Sequence, residues 1–286
     1  MIIGHLAAGI TILIWGTTFI STKILLNDFT PIEILCMRFI LGFIILCMIY
    51  PKILPLKTKK QEFIFFLAGL SGICMYYLLE NIALIYTMAA NVGVIICVAP
   101  FFTAIMAHLI NKQEKLSLKF FIGFFVAIMG IMCISFSRQD DITFNPFGDF
   151  LALLAAFVWA IYSILTKKIG EYGYNIIQTT RRTFVYGIIC MVPTLWWSDF
   201  NVDWKICLEP INLFNLLFLS IGASALCFVT WNIAVKILGA IKTSTYIYAV
   251  PVITVITSFL ILEEPITIWS AIGTFLTLVG LFISQY

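Results

Sequence analysis

The sequence predicts an all-α membrane protein of ten transmembrane helices, built as two inverted five-helix repeats around a central cavity. Three observations lead there. Hydrophobic residues make up 62% of the chain and charged residues 11%, against roughly 45–50% and about 25% in soluble domains. Ten apolar stretches of about the ~20 residues needed to cross a bilayer follow one another with short connectors. Residues also recur in the same order in the two halves. Lipid offers no water to backbone amides, so spans of this kind are helices.

The spans run in order. Ile2–Thr22 has no positively charged leader and no A-x-A-like cleavage site, so it is expected to stay as a helix. Pro31–Tyr50 opens on a proline and carries Arg38. Phe63–Tyr86 carries Glu80 and Asn81, and Ala89–Ile110 contains Pro100. Leu116–Phe136 places Gly123 and Gly130 seven residues apart, a spacing suited to close helix contact. Phe147–Leu165 holds Trp159 and Tyr162, and Ile176–Trp197 holds the pair Arg181 and Arg182. Leu213–Val235 holds Asn232, Thr243–Leu262 holds Pro251, and Ile268–Ile283 repeats the glycine spacing with Gly273 and Gly280. Seven of the eight cysteines fall inside spans, Cys207 being the exception. Without a C-x-x-C they read as small packing residues, not a disulfide frame or a zinc site.

Charge sets the expected topology. With a cytoplasmic N-terminus, inner loops hold Lys52, Lys57, Lys59, Lys60, Lys112, Lys115, Lys119, Lys167, Lys168, Lys236 and Lys242, and outer loops hold only Lys23, Arg138 and Lys205. The positive-inside rule then puts both termini in the cytoplasm of a multi-pass inner-membrane protein. The net charge of +3 is spread over membrane-flanking loops and gives no basic face for nucleic acid.

The repeat divides the chain at 1–140 and 141–286. Trp15, Lys23 and Arg38 match Trp159, Lys167 and Arg182 at a shift of 144. Asn81, Ala83 and Pro100 match Asn232, Ala234 and Pro251 at 151. Gly72 matches Gly222, Glu114-x-x-Ser117 matches Glu264-x-x-Thr267, and Gly123 and Gly130 match Gly273 and Gly280, all at 150. Five helices per half is an odd number, so the second half sits upside down relative to the first, the inverted arrangement that alternates a central site between two sides.

These residues resemble the drug/metabolite transporter superfamily, in particular its ten-helix EamA-type members. The resemblance rests on Trp15-Gly16, on Pro31 to Arg38, on E-N-x-A-L at Glu80 to Leu84, on NVGVIICVAPFFTA in the fourth span, on GDFLALLAAFVWAIYSILTKK in the sixth, and on KTSTYIYAVPVITVITSFLILEEPIT through the ninth. It covers essentially the whole chain. It implies a helical basket around a cavity and movement of small metabolites, often amino acids, without ATP. The repeat partner of Glu80 is Trp231, so a carboxylate function belongs to the first half alone.

Candidate site residues follow from cost. A charge at membrane depth costs roughly 2.5 kcal/mol or more, so it faces a wet cavity or another charge. Glu80 is therefore expected to bind substrate or couple transport to protons, the alternative being an acid reaching the outer surface. Arg38 comes to a similar depth, and the pair would serve either as a helix lock or as a gate. Arg182, the repeat mate of Arg38, is expected to present an unpaired guanidinium to a substrate carboxylate, with Arg181 snorkelling to the inner surface. Trp15, Tyr77, Trp159, Tyr162, Tyr246 and Tyr248 are expected to line a pocket, although most membrane aromatics only pack. Asn81 and Asn232 are expected to bond between helices and to touch substrate. Pro100 and Pro251 mark a kink that either gates or merely shapes the basket.

No enzyme is expected. His5 and His108 are the only histidines, and the chain lacks H-E-x-x-H and G-x-x-x-x-G-K-[ST]. The expectation is no catalytic residue, metal or cofactor, with a small molecule, the bilayer and protons as partners. The sequence reading is a secondary transporter, with export of amino-acid-like metabolites as its direction and cargo. A passive facilitator or channel and a lipid-carrier flippase are the alternatives.

Overall fold

The computed structural model describes residues 1–55, 58–110, 118–135, 146–195 and 200–285. The expected outer-loop Arg138 and inner-loop Lys57, Lys112 and Lys115 lie outside these, as does the first-half motif Glu114 to Ser117. Among the described residues there are only helices, grouped into ten rods: α1 Ile2–Leu25, α2 Pro31–Ile49, α3 Lys59–Tyr86, α4 Ala89–Ile96 continued by Ala99–Ile110, α5 Leu118–Ser135, α6 Pro146–Glu171, α7 Ile176–Leu195, α8 Pro210–Leu238, α9 Ala240–Leu262 and α10 Ile268–Gln285. A single turn, Trp204–Cys207, joins α7 to α8.

Seven rods are long and apolar enough to cross a membrane, and α5 and α10 contain shorter apolar helices. The remaining rod is α7, whose first half carries Gln178, three threonines and two arginines. Apolar side chains such as Leu13, Phe125, Phe259 and Phe275 are exposed on the outside of the bundle, as a lipid-facing surface requires.

Local chemistry sets the helix ends. Thr30 and Glu33 close a capping box at the start of α2: the Glu33 amide donates to Thr30 Oγ1 at 3.3 Å and the Thr30 amide donates to Glu33 Oε2 at 2.8 Å. Pro31 fills the first helical position, where a missing N–H costs nothing. Between α8 and α9 the chain turns at Gly239 with φ of 86°, a conformation that only glycine adopts without strain.

Four rods are irregular in the middle, at places that the sequence shifts of 150 and 151 match to one another. α3 widens into a π-helix over Leu70–Met75 and α8 over Phe218–Leu226. α4 breaks after Ile96 and restarts at Ala99, while α9 tightens into a 3₁₀ stretch over Thr245–Ala249 before Val250. Pro100 and Pro251 are thus not kinks within continuous helices. Each sits in the first turn of a restarted helix, where its fixed φ is tolerated.

The packing is symmetric in its partners. α1 rests on α8 and α9, and α6 rests on α3 and α4; α2 meets α8 as α7 meets α3; α2 meets α7, α4 meets α9 and α5 meets α10. Replacing each rod by its mate five places on returns the same set. In the α5 and α10 pair, Gly130 abuts the Gly273 carbonyl and Gly280 abuts the Gly123 carbonyl. The two helices therefore run antiparallel, and the shift of 150 exchanges one glycine contact for the other. Backbones this close leave no room for a Cβ, since one built on Gly130 would lie 2.6 Å from the Gly273 oxygen.

Candidate functional site

The core of the bundle is aromatic. Trp15 and its repeat mate Trp159 meet edge to face with ring centroids 5.1 Å apart, and Trp231 lies 5.1 Å from Trp15 and 5.8 Å from Trp159. Tyr76 and Tyr162 pack on Trp159 at 4.8 and 4.9 Å, and Phe228 touches Trp15, Trp159 and Tyr162. Beside it is a cavity of about 30 Å³, room for one or two waters. Trp15, Thr18, Tyr76, Tyr77, Glu80 and Trp159 line it, and Ile96, Ile247 and Val250 close it from the breaks in α4 and α9. Those breaks touch, with the Cys97 thiol donating to the Ile247 carbonyl at 3.1 Å. Metabolite pockets usually span ~300 Å³ or more, so the cavity as it stands is too small for a metabolite.

Two charges lie in this apolar region. Arg38 is 0% exposed, with its Nε donating to Ser224 Oγ at 2.9 Å and its guanidinium carbon 4.2 Å from the Tyr77 ring centroid. Both terminal nitrogens lack a hydrogen-bond partner. Glu80 is 1% exposed, and its Oε1 is likewise without a partner. Arg38 is near enough to act electrostatically on Glu80, but the two form no ion pair within 4 Å. The helix lock considered from the sequence is absent, because Arg38 is held by α8 and Tyr77 instead. Leaving buried polar atoms unpaired costs about 1–3 kcal/mol each, more for charged groups; of the two, Glu80 is in the cavity wall and Arg38 is not.

The π segment of α8 supplies the partners that the sequence did not reveal. Ser224 holds Arg38, and the Ala223 carbonyl accepts from Trp15 Nε1 at 2.9 Å. π bulges cluster at functional sites. In α3 the equivalent segment places Gly72 directly against the Tyr162 ring. The Trp159 indole N–H, mate of the bonded Trp15, is buried without a partner, as is that of Trp231.

Other expected site residues fall elsewhere. Asn81 donates to the Pro31 carbonyl at 3.0 Å, tying α3 to the start of α2. Asn232 accepts from the Tyr162 hydroxyl at 3.2 Å and donates to Thr180 at 2.8 Å, tying α8 to α6 and α7. Tyr246 shares a 2.5 Å bond with His5 Nδ1, and Tyr248 packs on the core outside the cavity.

The expectation for the arginine pair is overturned. Arg182 is bonded to Glu62, which also accepts from the Tyr186 hydroxyl, and both Arg182 and Glu62 side chains are about one-third exposed. α3 begins at Lys59, so Glu62 belongs to its first turn and not to a loop. Arg181 does not snorkel: it is 8% exposed and donates to the carbonyls of Tyr50 and Lys52 at 2.6 and 2.5 Å, capping the end of α2. Both line an open cavity of about 350 Å³ between α2 and α7, away from Glu80.

At the Lys23 end, Lys23 Nζ donates to the carbonyls of Leu84 at 3.1 Å and Thr87 at 2.7 Å, where α3 ends, and lies 3.9 Å from Glu264 Oε1. Glu264 accepts from the amides of Ala89 at 3.1 Å and Ala90 at 3.3 Å, the first turn of α4, and from the Ser258 hydroxyl. Thr87 Oγ1 donates to Asp149 Oδ1 at 2.9 Å.

The fold is a bundle of apolar helices with two buried charges at its core. The model of the EamA-like transporter family matches residues 2–136 and 146–286, and the chain belongs to that family. It is similar to an uncharacterized transporter of Archaeoglobus fulgidus, 27% identical over 285 residues, covering 98% of this chain and 96% of the relative. It is also similar to the uncharacterized transporter YyaM of Bacillus subtilis, 27% identical over 280 residues, covering 93% and 88%. A crystal structure superposes with a TM-score of 0.69 at 17% identity over 99% of this chain and 96% of that one, a likeness of fold. Family and relatives indicate a transporter and not an enzyme.

Proposed function

We propose that the protein is a secondary carrier of small amphipathic metabolites, amino acids foremost, working by alternating access and exporting its cargo. The observation that carries this reading is the pair Arg38 and Glu80, buried in one aromatic core with open hydrogen-bonding atoms and unpaired with each other. Arg38 offers two donors to a carboxylate and Glu80 an acceptor to an ammonium, while Trp15, Tyr76 and Trp159 offer surface to an apolar side chain. The two halves, 1–140 and 141–286, act as inverted repeats, supported by the exchangeable glycine contacts of α5 and α10 and by matched breaks in α4 and α9. Lysine distribution supports an inner-membrane location with both termini cytoplasmic.

When substrate is absent, Glu80 is the group to carry a proton across. The test is uptake and efflux in reconstituted vesicles against a panel of amino acids and metabolites, with and without a proton gradient. Glu80→Gln is expected to abolish gradient-driven accumulation while substrate-for-substrate exchange persists. Full proton-driven transport by a well-folded Gln variant would rule out the coupling role. Flux that never saturates would move the reading to a channel.

A further inference from the structure

We propose that Lys23 and Glu264 are the gating residues of one mouth of the cavity, and that Lys167 takes the matching place at the other mouth when the first opens. The inference rests on the carrier reading and adds the parts that alternate.

The Lys23 end gathers many partners in one place. Lys23 leaves α1 five residues after the cavity-lining Thr18, about 7.5 Å along the helix at 1.5 Å per residue. From there its ammonium draws together the last carbonyls of α3 and the carboxylate of Glu264, from the connection between α9 and α10. Glu264 in turn caps the first two amides of α4, where the positive end of a helix favours a carboxylate. Two side chains thus fasten α1, α3, α4 and α9 across this mouth, and Thr87 adds α6 through Asp149. The fastening joins the first half to the second, so it must break if the halves move apart.

The repeat supplies the contrast. The mates of Leu84 and Thr87 at a shift of 151 are Val235 and Leu238, the last carbonyls of α8, and the mate of Lys23 is Lys167. The end of α6 already lies beside α8: a Cβ on Gly170 would sit 3.7 Å from Lys236 Cβ. Yet Lys167 is exposed, whereas Lys23 is partly buried. Lys23 is fastened and its mate Lys167 is not, while the Lys167 end is held by other contacts, Arg182 with Glu62 and Arg181 with the end of α2; an inverted-repeat carrier exchanges such a difference between mates when it switches sides.

The experiment places a reporter cysteine at the fastened end. Thr18→Cys, nearly isosteric and in the cavity wall, is labelled in nanodiscs with a bulky maleimide, and each cysteine is followed separately by peptide mass spectrometry. Labelling of residue 18 is expected to be slow in the parent. It should rise at least about tenfold with Lys23→Gln or Glu264→Gln, the effect of losing charge-assisted hydrogen bonds. With Lys167→Gln it should stay the same or slow, because that change weakens only the opposite closure. Native Cys227, fully buried in α8, serves as the fold control. Rates within twofold of the parent for Lys23→Gln would overturn the proposal. So would equal acceleration by Lys167→Gln, or labelling of Cys227 in step with residue 18. The assay uses no substrate: accelerated labelling beside a silent transport panel would keep the latch and remove the carrier reading.

Discussion

Gly72 and Gly222 occupy the same place in the two repeats, inside the π segments of α3 and α8, and their surroundings predict opposite responses to alanine. A Cβ on Gly72 would lie 2.7 Å from Tyr162 Cε2 and nearer still to Cγ and Cδ2 of that ring, well inside the ~3.5–4.0 Å at which carbons attract. The ring cannot retreat. It is fully buried, packed 4.9 Å from Trp159 and 5.8 Å from Phe228, with its hydroxyl bonded to Asn232. At Gly222 the nearest atom is Phe218 Cδ2 at 3.7 Å, ordinary contact. Overpacking costs about 1–3 kcal/mol. The helix-propensity gain of alanine over glycine, ~1 kcal/mol, applies to both and cancels in the comparison. Gly72→Ala should therefore be about 1–3 kcal/mol less stable than Gly222→Ala, which should equal or exceed the parent. Reversible unfolding of the purified protein in mixed micelles measures the gap. Equal stabilities, or a less stable Gly222→Ala, would refute the packing argument. Transport should fall with Gly72→Ala as well, because displacing Tyr162 disturbs Trp159 in the cavity wall.

Arg181→Ala should cost about 2 kcal/mol or more in the same assay, since it strips two carbonyls at the end of α2 of a charged donor. Arg182→Ala removes a pair about one-third exposed and should cost ~1 kcal/mol or less, with neither variant changing the half-saturating substrate concentration. Thr30→Ala should lose about 1 kcal/mol by opening the capping box of α2, with Thr30→Ser retaining most of it.

The helical class and the order of the rods were legible because lipid permits so few alternatives, and the repeat was legible wherever backbone approach dictates a residue. Gly123, Gly130, Gly273 and Gly280 could be found by spacing alone, and at Gly130 and Gly280 a side chain would run into the facing backbone of the α5 and α10 pair. Side-chain facing was not legible. When every face of a helix is apolar, no periodicity separates core from lipid, and each extra residue in a π turn rotates the remainder of the helix by about 100°. The π segment Leu70–Met75 therefore sets where Tyr76, Tyr77 and Glu80 point, and nothing in its composition announces it. Arg182 was misread for a simpler reason: an α3 beginning at Phe63 leaves Glu62 in a loop, and a helix beginning at Lys59 aims Glu62 at α7.

The same positions carry different chemistry in the two halves, and this divergence bears on mechanism. Arg38 is buried with two open nitrogens, while its mate Arg182 is paired and about one-third exposed. Glu80 faces the cavity, while its mate Trp231 fills the aromatic core. Trp15 bonds a carbonyl of α8, while the Trp159 N–H is unmatched. Backbone pairing is symmetric, so on the proposed alternating-access reading the two end states can be close in energy. The polar atoms are not symmetric, so on the same proposed reading a ligand held by Arg38 and Glu80 would bind the first half throughout and meet different second-half groups in each state. A substrate shifts such an equilibrium only by its differential contacts. Those contacts must come from the second-half side of the cavity, from Trp159, Ile247 and Val250, and substitutions there should alter the balance between inward and outward rates while those at Arg38 and Glu80 alter both together.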